Sequence, residues 1–185
     1  MSVEIEAKLK VDSLQQIKNR LTEPGAKFLE EQLQTDSYFD DASDTLKNSD
    51  RALRLRRLSV EGVEKVFLTY KGAKEKDNLK KRQELEIEIN DAESAEKLLA
   101  ALGFDKALVL QKKRQLWLLG KCRVALDHLP LLGDFVEIEG PDNEKIADVQ
   151  RSLQLENVPH IPQSYASLIE EKLCQLGQNK KEVLL

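Results

Sequence analysis

Three short stretches of the chain carry the tripeptide Glu-Ile-Glu within runs of alternating charged and apolar residues. They are Glu4-Ile5-Glu6, Glu86-Ile87-Glu88 and Glu137-Ile138-Glu139. Alternate side chains of a β-strand share one face, so each stretch would present two carboxylates side by side. Carboxylate oxygens are the ligands that Mg²⁺ and Mn²⁺ prefer. Taken singly, each stretch also fits a half-buried strand with a solvated charged face.

Basic side chains follow the same alternation between these acidic stretches. They are Lys8, Arg54, Arg56, Lys71, Arg82, Lys112 and Arg114. Arginine grips phosphate oxygens with a planar fork, and lysine supplies a point charge. If acidic and basic strands faced one interior, they would hold a phosphate chain together with its metal ions. Phosphoryl or nucleotidyl transfer needs mainly this positioning and charge neutralisation. The residues alone leave a second option open, in which Arg54 and Arg56 pair with carboxylates across a solvated sheet.

The strands and helices that must position these side chains are predicted from the spacing of the apolar residues. This spacing changes along the chain between the period of a strand and that of a helix. After the first strand, Asp12 or Ser13 caps a helix that Pro24-Gly25 ends. Further strands are predicted over Ala26–Asp40, Arg51–Ser59, Val63–Lys71, Arg82–Ile89, Ala107–Leu119, Arg123–Leu129 and Phe135–Glu139, and further helices over 91–102, 143–155 and around Tyr165–Leu173. Residues 41–50 are predicted as a polar loop, and 72–81 as a mobile connection. Because hairpins join most strands, we predict an α+β fold: an eight-stranded antiparallel closed β-barrel, or tunnel, flanked by helices.

Composition limits the classes of function. A length of 185 residues fits one domain, predicted over residues 1–175, with a tail over 176–185 that is expected to fray. The net charge of −4 gives no bulk attraction to nucleic acid or membrane, so neither is expected as a partner. Cys122 and Cys174 have no metal or disulfide spacing, which favours a cytoplasmic location. A homodimer is compatible with the sequence.

Several motifs together resemble one known family. They are Glu4-Ile5-Glu6-Ala7-Lys8, Ala52-Leu53-Arg54-Leu55-Arg56, Arg82-Gln83-Glu84-Leu85-Glu86, Lys112-Lys113-Arg114, Val124-Ala125-Leu126-Asp127 and Leu132-Gly133-Asp134-Phe135-Val136-Glu137-Ile138-Glu139. With these motifs the chain resembles the CYTH superfamily, also called triphosphate tunnel metalloenzymes, from residue 2 to about residue 173. Within it, Tyr38-Phe39-Asp40 and Leu68-Thr69-Tyr70-Lys71-Gly72 look most like the class IV adenylyl cyclase branch.

The resemblance implies an eight-stranded tunnel that binds a triphosphate with Mg²⁺ or Mn²⁺. By position, it makes Glu4, Glu6, Glu137 and Glu139 metal ligands, assisted by Asp127 and by Glu86 or Glu88. It makes Lys8, Arg54, Arg56, Lys71 and Arg114 phosphate ligands, with Arg82 and Lys112 as additional candidates. Lys8, Lys71 and Arg114 are the candidate catalytic residues. Strand parity with Arg114 favours Lys112 over Lys113 for the tunnel face.

The resemblance implies triphosphate chemistry more firmly than it implies one reaction, since the superfamily includes cyclases, inorganic triphosphatases and thiamine triphosphatases. The leading hypothesis is conversion of ATP to cyclic AMP and pyrophosphate. The main alternative is hydrolysis of the terminal phosphate of tripolyphosphate, thiamine triphosphate or a nucleoside triphosphate. A non-catalytic polyphosphate-binding module is a further alternative. No feature of the sequence identifies an adenine pocket.

Overall fold

The computed structural model describes the backbone of residues 2–23, 25–74 and 80–185, and the side chains of these residues except 2–4, 74, 80 and 81. The carboxylate of Glu4, a predicted metal ligand, therefore lies outside the described part. Most of the predicted mobile connection 72–81 lies outside it as well. At its two ends, this connection contributes to strands rather than to a loop.

The structure confirms the predicted alternation of strands and helices. The strands are β1 (Ser2–Lys10), β2 (Lys27–Asp40), β3 (Ala52–Val60), β4 (Val63–Lys74), β5 (Lys80–Ile89), β6 (Asp105–Leu119), β7 (Cys122–Leu129), β8 (Gly133–Glu139) and β9 (Glu182–Val183). The helices are α1 (Leu14–Thr22), α2 (Thr45–Asn48), α3 (Ala92–Ala101), α4 (Asn143–Ser152) and α5 (Tyr165–Gln175). The short helix α2 was not predicted. It begins where both carboxylate oxygens of Asp40 accept backbone N–H groups of Leu46 and Lys47.

Strands β1 to β8 form one curled antiparallel sheet in the order β2-β3-β4-β5-β1-β8-β7-β6. β2 also pairs with β6, from Lys27 opposite Leu118 to Asp40 opposite Asp105. Each of these eight strands therefore has an antiparallel partner on both sides. Curling gives the sheet an inner and an outer face, and consecutive side chains alternate between them.

The apolar side chains of the strands fix which face is the outer one. Ala7 and Leu9 of β1 belong to the same buried cluster as Ile17 of α1 and Ile146 of α4. A second cluster joins Leu55 and Val66 of β3 and β4 to Ala92 and Leu99 of α3. Because the side-chain period of a strand is two, a slip by one residue would expose this whole apolar set. Burial against the helices thus holds the charged alternate positions, such as Lys8, on the inner face.

Helix α5 packs differently, because it covers one end of the inner face. Its stripe of Tyr165, Ile169 and Leu173 joins a buried cluster with Leu108, Leu110, Leu129 and Phe135. Leu108 and Leu110 share strand parity with Lys112, and Phe135 shares it with Glu137. Ser164 is the N-cap of the helix, and its hydroxyl accepts the backbone N–H of Ser167. The N-terminus of α5 is therefore placed beside the charged positions of the sheet.

The last residues are docked, although the sequence predicts fraying for 176–185. Strand β9 pairs in parallel with Val109 and Leu110 of β6, and Val183 is buried. The backbone N–H of Leu185 donates to Gln111 Oε1 at 3.2 Å. Of the helices that the structure describes, none is both long and apolar enough to cross a membrane.

Candidate functional site

The inner face of the sheet lines a cavity of about 520 Å³ with a highly charged wall. On the strands, the basic side chains of this wall are Lys8, Arg54, Arg56, Lys71, Arg82, Lys112, Arg114 and Arg123, and the acidic ones are Glu6, Asp36, Asp40, Glu84, Glu86, Glu137 and Glu139. All seven predicted phosphate ligands therefore meet in one place, although they come from five strands. Glu88, one of the predicted metal ligands, is exposed and does not line this cavity.

A buried carboxylate, Asp127 of β7, joins three cavity side chains. Its Oδ1 accepts Arg114 Nε at 2.7 Å, while Oδ2 accepts Arg114 Nη2 at 2.6 Å, Lys112 Nζ at 3.2 Å and Tyr165 Oη at 2.9 Å. Burial alone would raise the pKa of Asp127, but Arg114 and Lys112 hold this pKa below its ordinary value. Asp127 stands behind the cavity wall rather than on it. Its oxygens face protein donors, which differs from the metal-assisting role that the resemblance implies.

Glu137 of β8 extends this arrangement to β1. One of its oxygens accepts Arg114 Nη2, and the other lies 3.4 Å from Lys8 Nζ. Lys112 is buried, and its burial together with Arg114 lowers its pKa to about 8, although Asp127 raises it. Lys112 lines the cavity, whereas Lys113 is exposed, as strand parity predicts. We call the set Lys8, Lys112, Arg114, Asp127, Glu137 and Tyr165 the Asp127 cluster.

A second group of charges lies on β3, β4 and β5. Arg54 Nη2 contacts Thr69 Oγ1 at 3.2 Å, Glu86 Oε2 at 3.5 Å and Glu84 Oε1 at 3.8 Å. Lys71 Nζ donates to Glu84 Oε2 at 2.8 Å, and Thr69 Oγ1 donates to Glu86 Oε2 at 2.8 Å. We call Arg54, Thr69, Lys71, Glu84 and Glu86 the Glu84 cluster. Its carboxylates face the cavity and are partly exposed.

Arg56 has a partner that sequence reasoning missed. Asp36 of β2 lies directly opposite Arg56 of β3, and its oxygens accept Arg56 Nε at 2.6 Å and Nη2 at 2.7 Å. Burial alone would raise the pKa of Asp36, yet the guanidinium groups of Arg56 and Arg54 hold this pKa well below its ordinary value. The fork of Arg56 is therefore oriented by protein before any ligand arrives.

Arg82 of β5 has a different set of partners from the other arginines. Its Nε donates to the carbonyl of Gly72 at 2.8 Å, and its Nη2 donates to the carbonyl of Asp50 at 2.8 Å. Only 3% of the residue is exposed. These bonds tie β5 to the end of β4 and to the segment after α2. Arg82 borders the cavity, but its guanidinium already serves as a structural link.

The acidic wall is built by β1 and β8. Glu6 lies opposite Glu139 in the register of these strands, and Lys8 lies opposite Glu137. Among the side chains that the structure describes, no group of three or more His, Cys, Asp or Glu residues is arranged to hold a metal ion. Glu4, two residues before Glu6 on the same strand, is not among those side chains. Carboxylate oxygens on neighbouring strands are nevertheless donors of the type that Mg²⁺ and Mn²⁺ take.

Comparison with known proteins identifies relatives of this chain. The model of the CYTH domain family matches residues 2–165. The "Putative adenylate cyclase MJ0240" of Methanocaldococcus jannaschii is 31% identical over 137 residues, which cover 74% of this chain and 76% of that protein. Adenylate cyclase CyaB of Aeromonas hydrophila is 29% identical over 154 residues, which cover 78% of this chain and 76% of that protein.

Solved structures share the fold over nearly the full length. The PH1819 protein of Pyrococcus horikoshii matches with a TM-score of 0.79 at 30% identity, covering 91% of this chain and 99% of that one. A Hippeastrum protein described as having a dominant triphosphatase activity matches with a TM-score of 0.68 at 18% identity, covering 97% of this chain and 98% of that one. At that identity the likeness shows the shared fold alone. Since the family match spans residues 2–165 of the 185 in this sequence, the chain belongs to the CYTH domain family.

Proposed function

We propose that this protein is a divalent-metal-dependent enzyme that binds a triphosphate in an enclosed tunnel and converts ATP to cyclic AMP and pyrophosphate. The observation that carries the proposal is the convergence of seven predicted phosphate ligands on one cavity. The pairing of β2 with β6 supports a closed, tunnel-like barrel, because it gives the first and last strands of the sheet order a common edge. Members of the CYTH family bind triphosphate substrates and depend on divalent cations, which supports the same assignment.

The phosphate chain would bind between the two charged clusters. Lys8, Lys112 and Arg114 of the Asp127 cluster would contact it from one side, and Arg54 and Lys71 of the Glu84 cluster from the other. Arg56, whose Nε and Nη2 donate to Asp36, would reach the phosphate chain with its remaining N–H groups. Because protein carboxylates already orient most of these cations, little reorganisation is needed when the ligand arrives. Lys8, Lys71 and Arg114 remain the candidate catalytic residues.

Glu6, Glu137 and Glu139 would hold the divalent cation, with Glu4 as a further ligand of β1. Their oxygen donors fit such an ion, and all three described carboxylates line the cavity. A cation held there would lower the pKa of an attacking hydroxyl and neutralise phosphate charge. Asp127 is assigned instead to orienting Arg114 and Lys112, because it lies behind the cavity wall that Glu6, Glu137 and Glu139 line. Glu86 would assist Arg54 in the Glu84 cluster.

Apolar side chains on the cavity wall favour ATP over inorganic tripolyphosphate. Tyr38 of β2, Leu46 of α2 and Leu108 of β6 line the same cavity as the charged residues. A bare phosphate chain gains nothing from such a surface, whereas a nucleoside can bury its base against it. The ribose 3′-hydroxyl would then attack the α-phosphorus, and the bond to the β-phosphate would break to release pyrophosphate. The adenylate cyclase names of the two curated relatives support this reaction.

Product analysis tests the proposal. The purified protein is incubated with Mg²⁺ or Mn²⁺ and either ATP or tripolyphosphate, and the products are separated by anion-exchange chromatography. We expect cyclic AMP and pyrophosphate from ATP. Orthophosphate without cyclic AMP would replace the cyclase with a triphosphatase, and binding without turnover would indicate a polyphosphate-binding module. Lys112→Ala should lower turnover, and Lys113→Ala, which alters the exposed neighbour on the other face, is the matched control.

A further inference from the structure

Tyr165 is the residue at which the apolar stripe of α5 meets the charged inner face. The ring packs edge-on against Phe135, with centroids 5.2 Å apart, and only 6% of the residue is exposed. Ile169 and Leu173, the next residues of the stripe, are buried among apolar side chains. A leucine at position 165 would satisfy the stripe equally well. Tyrosine adds a hydroxyl and an electron-rich ring face at the edge of the cavity.

The hydroxyl of Tyr165 is fixed on the central carboxylate of the Asp127 cluster. It donates to Asp127 Oδ2 at 2.9 Å, beside the bonds that Asp127 accepts from Arg114 and Lys112. Burial and the nearby charge of Asp127 raise the pKa of Tyr165 well above its ordinary value. The hydroxyl therefore stays protonated and remains a donor. It stabilises the ionised carboxylate that holds two phosphate-binding cations.

The ring of Tyr165 contacts two cavity lysines that come from different strands. Lys8 Nζ lies 4.0 Å from the ring centroid, and Lys112 Nζ lies 4.7 Å from it. Both distances are within the range of cation–π attraction, which extends to about 6 Å. The segment leading into α5 holds Lys8 a second time, because Lys8 Nζ donates to the carbonyl of Gln163 at 2.9 Å. One residue of α5 thus links β1, β6 and β7.

The Asp127 cluster brings three cations together, and such a group suits an anion. They are Lys8, Lys112 and Arg114, which the carboxylates of Asp127 and Glu137 contact. The two ammonium groups repel each other. The ring adds an attraction to those of Glu137 for Lys8 and of Asp127 for Lys112. The ring face supplies that attraction without neutralising the charge. A carboxylate in its place would compete with phosphate for both lysines.

We propose that Tyr165 is a positioning residue for the phosphate chain, with its ring holding the Lys8 and Lys112 ammonium groups and its hydroxyl holding Asp127. This inference rests on the proposed function, because it assumes that the cavity binds a triphosphate. Position 165 then sets how well the cations are arranged before binding. Such preorganisation contributes to affinity by reducing the ordering that binding requires.

Calorimetry with tripolyphosphate tests the role of Tyr165 without depending on turnover. Titrations are done in EDTA, so that only the side chains of the chain contribute. Tyr165→Leu removes the ring and the hydroxyl and should weaken binding about thirtyfold, the size of one desolvated cation–π contact. Tyr165→Phe keeps the ring face and should restore most of the affinity. Tyr165→Met, which fills more of the space of the ring, is the second ring-free variant in case Tyr165→Leu does not fold.

Tyr70→Leu is the matched control. Tyr70 has the strand parity opposite to Thr69 and Lys71, so it faces away from the cavity, and its replacement should leave affinity unchanged. Thermal unfolding of every variant separates loss of fold from loss of binding. Unchanged affinity in folded Tyr165→Leu or Tyr165→Met would overturn the positioning role while leaving triphosphate binding intact. Equal losses in Tyr165→Phe and Tyr165→Leu would overturn the role of the ring. Failure of the unaltered protein to bind tripolyphosphate both in EDTA and with Mg²⁺ would overturn both proposals.

Discussion

The two charged clusters of the cavity differ in how far their carboxylates are shielded from water. In the Asp127 cluster, the central carboxylate is 0% exposed and α5 covers it with Tyr165. In the Glu84 cluster, the side chain of Glu84 is 15% exposed and that of Glu86 is 43% exposed. The same kinds of residues therefore sit in different dielectric surroundings. Charges in the first cluster depend on one another for stability, whereas those in the second can exchange protein partners for water or ligand.

The largest effect is expected from Asp127→Asn. The substitution keeps the shape of the side chain but leaves Arg114 and Lys112 without their shared buried carboxylate. Removing one partner of a buried ion pair typically costs about 3–5 kcal/mol, so the free energy of unfolding should fall by about that amount. Urea denaturation at pH 7 measures it. The control is Asp134→Asn, whose carboxylate pairs with the half-exposed His128 and should cost less than about 1 kcal/mol.

Asp36→Asn should give the next largest loss of unfolding free energy. It tests whether burial of a carboxylate, without a contact from α5, is enough to produce a large loss. Asp36 is buried and holds Arg56, but α5 contributes no hydrogen bond to it in the contacts described. We expect a loss of about 3 kcal/mol in unfolding free energy at pH 7. A loss below about 1 kcal/mol would show that the cover of α5, rather than burial, distinguishes the two clusters.

The effect of Asp36→Asn on the free energy of unfolding should depend on pH. Because the folded-state pKa of Asp36 lies well below its ordinary value of 3.8, the pair contributes stability above pH 3.8 and loses it as the pH falls further. Urea titrations of the original protein and of Asp36→Asn should therefore differ most at neutral pH and converge in strong acid. A constant difference down to the lowest pH would contradict an ionised Asp36.

Much of the fold and part of the site could be predicted because they depend on parity within a strand. Alternation placed Lys112, rather than Lys113, on the cavity side, and it brought Glu6, Arg54 and Glu137 to one face. Ser13, one of the two predicted caps, begins α1, and Asp91, the first residue of the predicted helix 91–102, caps α3. These are local rules, and each needs only a few neighbouring residues.

The parts that could not be predicted depend on register and on packing between distant segments. Asp36 lies outside the Glu-Ile-Glu stretches, and only the pairing of β2 with β3 places it opposite Arg56. In the sequence pattern, Tyr165 looks like one more residue of the apolar stripe of α5. Its hydroxyl was the available signal, since a buried tyrosine usually finds a polar partner. The docking of β9 depends on β6, about seventy residues earlier, and leaves no periodic pattern.

A smaller effect is expected from Thr69→Val in the Glu84 cluster. Thr69 is buried, accepts Arg54 Nη2 and donates to Glu86, so the nearly isosteric valine removes both bonds with little change of volume. The free energy of unfolding should fall by about 1 kcal/mol, as for other single hydrogen-bonding groups. Because Glu84 and Glu86 remain near Arg54, the guanidinium keeps charged partners. A loss as large as that in Asp127→Asn would mean that the two clusters are equally interdependent.

Glu84→Gln should cause the smallest loss of unfolding free energy, and it should strengthen ligand binding. Glu84 contacts Lys71 and Arg54 from a position open to the cavity, so its neutralisation should cost less than about 1 kcal/mol. Both cations would then be less strongly held by protein and more available to an anion. Calorimetry in EDTA should show tripolyphosphate binding about threefold tighter in Glu84→Gln, but weaker in Asp127→Asn, where the cations lose their orientation. A change of affinity in the same direction in both variants would contradict this comparison. It would mean that exposure to the cavity does not distinguish Glu84, which competes with phosphate, from Asp127, which orients the cations that bind phosphate.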